Sequence, residues 1–337
     1  MSKFDFSKNI NINVDCKTFC IPTVLAGPME GIMDDAFCRT MNSLKLIEHW
    51  VTPFVNVNNS IPTKRHLRQF LDDFTLERGE YKNITAQLLG NNAYRLAKTA
   101  ERLIELGVDG INLNAGCPSP RVIKSCNGSG LLLPENFATF KDIHSELASV
   151  CRNATPYSIK LRTGFDNALQ QENILNELLD IAPLDYIIMH YRTAIEAYKP
   201  IDRNIAIERL KLTRKLCKNL PLIVNGDIND RQSAQIMVSL TNADGIMIAR
   251  ELLKNALILN SLRQTNNSMQ KQITTKDFLL EFITKLNLNG NGEIITSRVI
   301  ELTRFAWGVD SQQFSSVKKF QRHESLKYVK KVISEFA

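Results

Sequence analysis

Short apolar runs rich in β-branched residues recur through the first 250 residues, and each has the length of a buried strand. Helical patterns lie between most of them, at residues 93–106, 135–151, 170–182, 203–218 and 230–240. The runs read TVLAGPM (23–29), HWVTPFV (49–55), ITAQLLG (84–90), GINLNAG (110–116), YSIKLRT (157–163), YIIMHYR (186–192), LIVNGDI (222–228) and DGIMIAR (244–250). Eight strands alternating with helices predict an α/β fold, a (β/α)₈ TIM barrel.

The ends of these strands favour the barrel over a doubly wound sheet, which would also alternate. The first strand is followed by Pro-Met-Glu-Gly rather than the Gly-x-Gly-x-x-Gly turn of a dinucleotide fold. Each strand finishes in residues that a packed core would not select, and in a barrel they converge on the carboxyl rim, where active sites lie. They are Pro28, Met29, Glu30, Thr52, Pro53, Gln87, Asn114, Cys117, Lys160, Arg162, His190, Arg192, Asn225, Asp227 and Arg250.

The alternation ends after about residue 255. A polar segment at 264–268 is typical of a linker, and helical patterns then cover 276–288, 293–307 and 312–336, with a breaker at 289–292. The sequence therefore predicts a catalytic barrel over residues 20–255 and a small α-helical bundle over residues 265–337. The first twenty residues match neither pattern.

Composition limits the class of protein. The 337 residues have a net charge of +7, 44% hydrophobic residues and no apolar stretch long enough to cross a membrane. The start lacks the apolar core of a signal peptide, and the seven cysteines are scattered without a Cys-x-x-Cys pair. We therefore expect a cytoplasmic protein with free thiols, without a disulfide framework, a structural zinc site or a membrane partner.

The positive charge is concentrated in the predicted helical bundle. Residues 265–337 carry 11 Lys and Arg against 7 Asp and Glu, a net charge of +4 in 73 residues. Clustered cations bind phosphates, so this region is a candidate for polyanion binding, although a solvated helix face gives the same pattern.

Cys117 is the candidate catalytic residue. It follows the fourth strand in Asn-Ala-Gly-Cys-Pro-Ser, where glycine and proline predict a turn that exposes the thiol at the barrel mouth. Cys126 lies on the same loop as a rival. Because no strand-end histidine pairs with Cys117, a neutral thiol that donates a proton fits better than a Cys–His nucleophile.

Other rim residues allow more than one chemistry. Lys160 suits either a Schiff-base amine or a fixed cation beside an electron-rich ring. His190 has no partner at metal-ligand spacing, so we expect no metal. Residues 225–227 and 249–250 follow the last two strands, where barrels bind phosphate, although a glycine turn and a surface arginine need no ligand.

These motifs resemble those of the tRNA-dihydrouridine synthases. The order and spacing of LAGPMEGIMDDAFCR, AQLLG, GINLNAGCPS, IKLRTGFD, HYRT, NGDI and MIAR are similar over residues 22–252, and the Pro-Met-Glu-Gly opening is most similar to the bacterial branch that modifies uridine 16. The resemblance implies an FMN enzyme that uses NADPH to reduce the C5–C6 double bond of a D-loop uridine in tRNA. It also implies that the helical region binds tRNA; we expect a monomer, since one tRNA needs one mouth.

The resemblance also implies residue roles. Cys117 corresponds to the general acid that protonates C5. Cofactor-binding positions are Pro28 and Met29 beneath the flavin ring, Gln87 at its polar edge, Lys160 near N1 and O2, and His190, Asn225, Gly226, Asp227, Ala249 and Arg250 around the ring or phosphate. Substrate-binding positions are Asn114, Arg192 and Tyr198 at the mouth and Lys318, Lys319 and Arg322 in the helical region.

The chain departs from the family pattern at Tyr191, which stands where a small residue is usual, and at Ala249 and Glu251, which flank Arg250. Two other functions remain open. One is a Schiff-base barrel enzyme that acts through Lys160 on a small phosphorylated substrate, and the other is a non-catalytic RNA-binding paralogue.

Overall fold

The structure is a computed structural model, and it describes residues 4–75, 77–263, 273–286, 292–319 and 326–335. Its strands are β1 (Asn9–Val14), β2 (Lys17–Pro22), β3 (Val24–Ala26), β4 (Trp50–Val51), β5 (Val55–Asn56), β6 (Ile84–Leu89), β7 (Gly110–Ala115), β8 (Tyr157–Arg162), β9 (Tyr186–His190), β10 (Leu222–Asn225) and β11 (Gly245–Ile248).

Strands β3 to β11 form one parallel sheet in the order β3-β11-β10-β9-β8-β7-β6-β4, and β5 also pairs with β6. The two end strands β3 and β4 lie against each other, which nearly closes the sheet into a barrel. Each predicted run contains an observed strand, and the predicted (β/α)₈ TIM barrel is confirmed.

The second predicted strand is interrupted, and Pro53 explains why. Proline has no N–H for the ladder, so the run at 49–55 forms β4 and β5 on either side of a break. Across the break the Gln87 N–H donates to the Thr52 hydroxyl at 3.1 Å, which keeps this backbone group satisfied.

Helices follow the barrel strands and cover the sheet. In the first 263 residues they are α1 (Asp35–Ser43), α2 (Lys64–Leu71), α3 (Ala93–Leu106), α4 (Pro120–Lys124), α5 (Phe137–Cys151), α6 (Gln170–Ile181), α7 (Arg203–Cys217), α8 (Arg231–Thr241), α9 (Glu251–Lys254) and α10 (Ile258–Arg263). Helix α3 shows why the sequence pattern worked: the Asn92 side chain caps its first turn, and Gly107 ends it with a φ of 93°.

The N-terminal residues that matched neither pattern form an antiparallel hairpin of β1 and β2. Its apolar side chains Ile12, Val14 and Ile21 pack into a cluster with inward-facing barrel residues Leu25, Val51, Tyr186, Ile188, Ile223 and Met247. The hairpin ends just before β3, and the N–H of Thr23, between β2 and β3, donates to the Lys8 carbonyl at 3.2 Å. The hairpin therefore covers the amino-terminal end of the barrel, opposite the rim that carries the candidate site.

The helical region contains α11 (Thr275–Leu286), α12 (Gly292–Trp307), α13 (Gln312–Lys318) and α14 (Leu326–Glu335). The prediction of one helix over 312–336 was wrong, because α13 ends at Lys318 and α14 is a separate helix. The predicted linker at 264–268 lies outside the described residues. Among the described residues, no helix is long and apolar enough to span a bilayer.

Helix α11 packs on helix α1 of the barrel. The rings of Phe37 and Phe278 meet edge to face with centroids 5.9 Å apart, and the Ser43 hydroxyl donates to Glu281 at 2.7 Å. Helix α12 adds an ion pair, in which Arg298 contacts Asp34 at 2.5 Å. These contacts join the helical region to the segment that follows β3, beside the barrel mouth.

Candidate active site

A chain of buried amides crosses the barrel interior below the mouth. Gln87 donates to Asn112 at 2.7 Å, Asn112 donates to Ser158 at 2.8 Å, and Asn114 donates to the Gln87 carbonyl at 2.8 Å. These side chains come from β6, β7 and β8. Since polar groups are costly to bury without partners, this network fixes the rotamers of Gln87 and Asn114.

Asn114 also sets the position of the Cys117 loop. Its carbonyl oxygen accepts hydrogen bonds from the Gly116 N–H at 3.1 Å and the Cys117 N–H at 2.9 Å. On the other side, the Cys117 carbonyl accepts from the Ser129 hydroxyl at 2.8 Å. A Cβ at Gly128, where φ is 54°, would lie 3.1 Å from Cys117 Cβ, so glycine permits this close approach. The thiol is held on a partly exposed turn at the mouth.

Arg162 was predicted to lie at the rim but was given no binding role, and the structure shows what it does. It is 4% exposed and lies at the end of β8. Its guanidinium donates to the Gly116 carbonyl at 2.7 Å and to the Thr193 carbonyl at 2.9 Å. It therefore ties the Cys117 loop to the loop after β9. The sequence contains a signal for this role, because Ser158, Lys160 and Arg162 alternate with apolar residues and therefore lie on the same face of the strand.

Lys160 and His190 lie on neighbouring strands, with Lys160 opposite Asn114 and His190 opposite Arg162 in the sheet register. Burial, together with the charge of Arg162, lowers the pKa of Lys160 to about 8. Burial and the cations Arg162 and Lys160 lower the pKa of His190 well below its usual value. The imidazole is therefore neutral at pH 7. Its Nδ1 accepts the Arg192 N–H at 3.2 Å, which leaves the proton on Nε2.

A charged cluster surrounds Asp227 at the rim. The Asp227 carboxylate accepts from the Tyr191 hydroxyl at 2.6 Å, from Arg192 at 2.5 Å and from Arg250 at 3.1 Å. Burial alone would raise the pKa of Asp227, but the Arg192 and Tyr191 hydrogen bonds outweigh it and lower the pKa. The Arg250 guanidinium lies 4.8 Å from the Tyr198 ring centroid. Asp227 therefore organises the cations, and Arg250, with about half its side chain exposed, remains accessible.

The structure shows the neighbours of the three residues that depart from the family pattern, Tyr191, Ala249 and Glu251. Tyr191 is buried beside Gly226, where a Cβ would lie 2.5 Å from its ring, so Tyr191 and Gly226 are matched. Glu251 is 3.4 Å from Lys254 one helical turn on, which offsets its charge. Ala249 is close to Gly27, since a Cβ at Gly27 would meet Ala249 Cβ at 2.8 Å.

The remaining predicted residues fall into three places. Asn225 is buried and donates to the Met247 carbonyl at 2.8 Å, which joins β10 to β11. Pro28 and Met29 follow β3, half-buried and buried respectively. Lys318 and Lys319 are exposed at the end of α13, and Arg322 lies outside the described residues. No group of three metal-ligating side chains occurs in the part of the chain that the structure describes.

Known proteins share both the sequence and the fold. The dihydrouridine synthase family model matches residues 24–297. The chain belongs to the dihydrouridine synthase family. The resemblance inferred from the rim motifs is therefore confirmed at the level of the family.

Individual relatives cover the chain to different extents. A probable tRNA-dihydrouridine synthase of Helicobacter pylori is 33% identical over 60% of this chain and 59% of its own length. The tRNA-dihydrouridine(16) synthase of Pasteurella multocida is 31% identical over 68% of this chain and 72% of its own. That of Vibrio vulnificus is 26% identical over 90% of this chain and 95% of its own.

Solved structures share the barrel. A 2-naphthoyl-CoA reductase complex covers 76% of this chain and 51% of its own, with a TM-score of 0.59 and 8% identity. Histamine dehydrogenase from Rhizobium sp. 4-9 covers 82% of this chain and 50% of its own, with a TM-score of 0.56 and 10% identity. At this identity the likeness concerns the fold alone.

Proposed function

We propose that this dihydrouridine synthase reduces the C5–C6 double bond of a D-loop uridine in tRNA to 5,6-dihydrouridine, at position 16, with FMN as cofactor and NADPH as reductant. The observation that carries the proposal is the Cys117 thiol, held on a partly exposed turn beside Lys160 and neutral His190 in a barrel of this family. Support for position 16 comes from the relatives of Pasteurella and Vibrio named for that site.

The residues at the mouth fit a flavin mononucleotide. Gln87 and Lys160 offer donors to the polar edge of the ring, and the His190 Nε2–H faces the space beside Gly226, whose missing Cβ would lie 3.2 Å away. Arg250, at the phosphate position of TIM barrels, offers a cation. FMN, when bound, would carry a hydride from NADPH to C6 of the uracil. Pro28 and Met29 would lie under the ring.

Cys117 completes the reaction by donating its Sγ proton to C5. In this role Cys117 acts as a proton donor, so it needs no imidazole to activate it, and the Nδ1 of His190 is already occupied by the Arg192 N–H. The resulting thiolate lies near the Lys160 ammonium and takes a proton back from solvent. Asn114, which fixes the Cys117 N–H, keeps the donor in place and faces the target uracil.

The helical region would bind the body of the tRNA. Lys318 and Lys319 are exposed there, and Tyr198 is exposed at the mouth as a substrate-side candidate, whereas Arg192 is buried and paired with Asp227 and would act on the substrate side only by positioning its neighbours. The target base must leave its stack to enter a barrel mouth, which costs least in a loop. In this proposal residues 20–255 carry the chemistry, residues 265–337 bind tRNA, and one monomer acts on one tRNA.

The test is reconstitution. Purified protein should bind FMN, and with NADPH it should convert uridine to dihydrouridine in an unmodified tRNA transcript. The Cys117→Ala variant should bind FMN and form dihydrouridine about 100- to 10,000-fold more slowly. Protein that binds no FMN would contradict the proposal, and borohydride trapping of a carbonyl substrate on Lys160 would favour the Schiff-base alternative.

A further inference from the structure

Two neighbouring cavities lie on one side of the barrel mouth and share Asn56. The first chamber has a volume of about 370 Å³, and the second chamber has a volume of about 510 Å³. The first is lined by side chains from the segments after β3 and β4 and from α2, including Glu30, Pro53, Phe54, His66 and Phe70. The first chamber lies within the roughly 300–1,000 Å³ of ordinary ligand sites.

Aromatic and aliphatic side chains form most of the lining of the first chamber, and its polar members are Glu30, Asn56, His66 and Asp73. Phe74, one of the lining residues, packs edge to face on Trp50 with centroids 5.4 Å apart and in a tilted arrangement on Phe70 with centroids 5.2 Å apart. Phe54 is half-buried and remains available to a ligand. Aromatic and proline faces of this kind stack on planar rings.

Glu30 gives the first chamber a hydrogen-bond acceptor. Within the described residues, its carboxylate has no hydrogen-bond or ion-pair partner. The Glu30 side chain is exposed, so its carboxylate is accessible to a hydrogen-bond donor from a ligand. A carboxylate accepts hydrogen bonds from the exocyclic amino group of a base such as cytosine.

The lining of the chambers differs in charge from the surface around them. Neither chamber is lined by Lys or Arg among the described residues. Exposed cations lie on both sides of the mouth, with Lys64, Arg65 and Arg68 on α2 and Arg250 at the opposite rim, whereas Arg162 and Arg192 are buried. The chambers therefore favour uncharged rings, and the exposed cations around them favour the phosphates of the same strand.

The second chamber connects this surface to the catalytic loop. Asn91 at its wall donates to the Ser125 carbonyl at 3.0 Å, and Asn58 accepts from Asn127 at 2.7 Å. Asn127 begins the glycine turn that holds Cys117. A ligand in the chambers would therefore lie beside the loop that carries the thiol.

We infer that the first chamber binds the base of a nucleotide adjacent to the target uridine, stacked on Phe54 and donating an amino hydrogen to Glu30. The inference rests on the proposed function, which brings the tRNA strand to this mouth. The chamber would thus select an amino-bearing neighbour over uracil and would help hold the target base extruded.

The test combines protein variants with altered tRNA. Transcripts with an abasic site directly 5′ or 3′ of the target are compared with the intact transcript under single-turnover conditions. For one of the two abasic transcripts, the rate of the wild-type protein at low enzyme concentration should be about 5- to 150-fold lower than for the intact transcript. This is the range expected for the loss of one stacked base. Phe54→Ala should lose a similar factor on intact tRNA and little more on the abasic transcript. Glu30→Gln should lose the preference for cytidine over uridine at that neighbour.

The controls separate this inference from the proposed function. Glu172→Gln, on the exposed face of α6, should behave as wild type, and FMN content checks the fold of every variant. If wild-type protein makes no dihydrouridine on intact tRNA, the proposed function fails. Suppose instead that it makes dihydrouridine, but the rate loss from Phe54→Ala and the rate loss from the abasic site multiply at both neighbouring positions. The two changes then act independently, and only the chamber inference fails. A Phe54→Ala effect confined to the KM for NADPH would also overturn it.

Discussion

Replacement of Lys160 by methionine should stabilise the cofactor-free protein while it weakens FMN binding. Burial and Arg162 lower the pKa of Lys160 from 10.5 to about 8, so the fold disfavours the ammonium. That shift corresponds to roughly 3 kcal/mol at most, and the side chain keeps some solvent access, so we expect a gain of about 1–3 kcal/mol at pH 7. The bound cofactor would remove the penalty in the wild-type protein by placing negative charge beside the ammonium.

The sign of the pH dependence follows from the direction of this shift. Between pH 8 and pH 10.5 the unfolded chain holds the Lys160 proton more tightly than the folded chain, so wild-type stability rises with pH in that window. The penalty is fully present below pH 8. The advantage of Lys160→Met should therefore be largest at pH 7 and should shrink towards pH 10.

Urea unfolding of FMN-free wild type and Lys160→Met at pH 7, 8.5 and 9.5 measures the difference directly. Lys215→Met is the matched control, because Lys215 is exposed on α7 and should show no such trend. FMN titration should show at least tenfold weaker binding by Lys160→Met only. A variant less stable than wild type at pH 7, or an advantage that does not shrink as the pH rises, would refute the reasoning.

Further substitutions test the rest of the site. Cys117→Ala should lower single-turnover dihydrouridine formation by about 100- to 10,000-fold with FMN bound, and Cys117→Ser should restore part of it; equal activity of both with wild type would remove Cys117 from the chemistry. Asp227→Asn should cost about 2 kcal/mol, since it weakens the partner of buried Arg192. Because the fold lowers the pKa of Asp227, this loss of folding stability should be present above pH 4 and should disappear in more acidic solution. Asp166→Asn, on an exposed loop, is the control. Arg162→Met should lower thermal stability and turnover together, since it leaves the Gly116 and Thr193 carbonyls without their donor; loss of neither would contradict its anchoring role. Neutralising Lys318, Lys319, Arg322, Lys330 and Lys331 should weaken tRNA binding and flatten its salt dependence with FMN retained, and loss of FMN would contradict the proposed division of the chain.

The barrel could be predicted from the sequence because each of its strands and helices is indicated by residues within that element. Buried parallel strands are short apolar runs, and the helix at 93–106 begins and ends at residues that cap helices by their own chemistry. The rim could be located for the same reason, since side chains at the ends of parallel strands share one end of a barrel.

Other features depend on distant partners and were not visible in the sequence. The hairpin of β1 and β2 is defined by the barrel end that it covers, and its own alternation of polar and apolar residues is short. Arg162 and Asp227 could be assigned to the rim from the sequence, but the partners that define their roles lie on loops that are far away along the chain. The packing of α11 on α1 depends on Phe37 and Phe278, which are 241 positions apart.

The central claim is that this chain forms dihydrouridine in tRNA through Cys117. Dihydrouridine mapping of tRNA from a strain that lacks its own synthases, complemented with either wild-type or Cys117→Ala protein, tests it most directly. The account predicts dihydrouridine at position 16 with the wild-type protein and at most trace amounts with the variant. Product at another position would contradict the site assignment, and tRNA without dihydrouridine in both strains, from folded protein that binds FMN, would contradict the function.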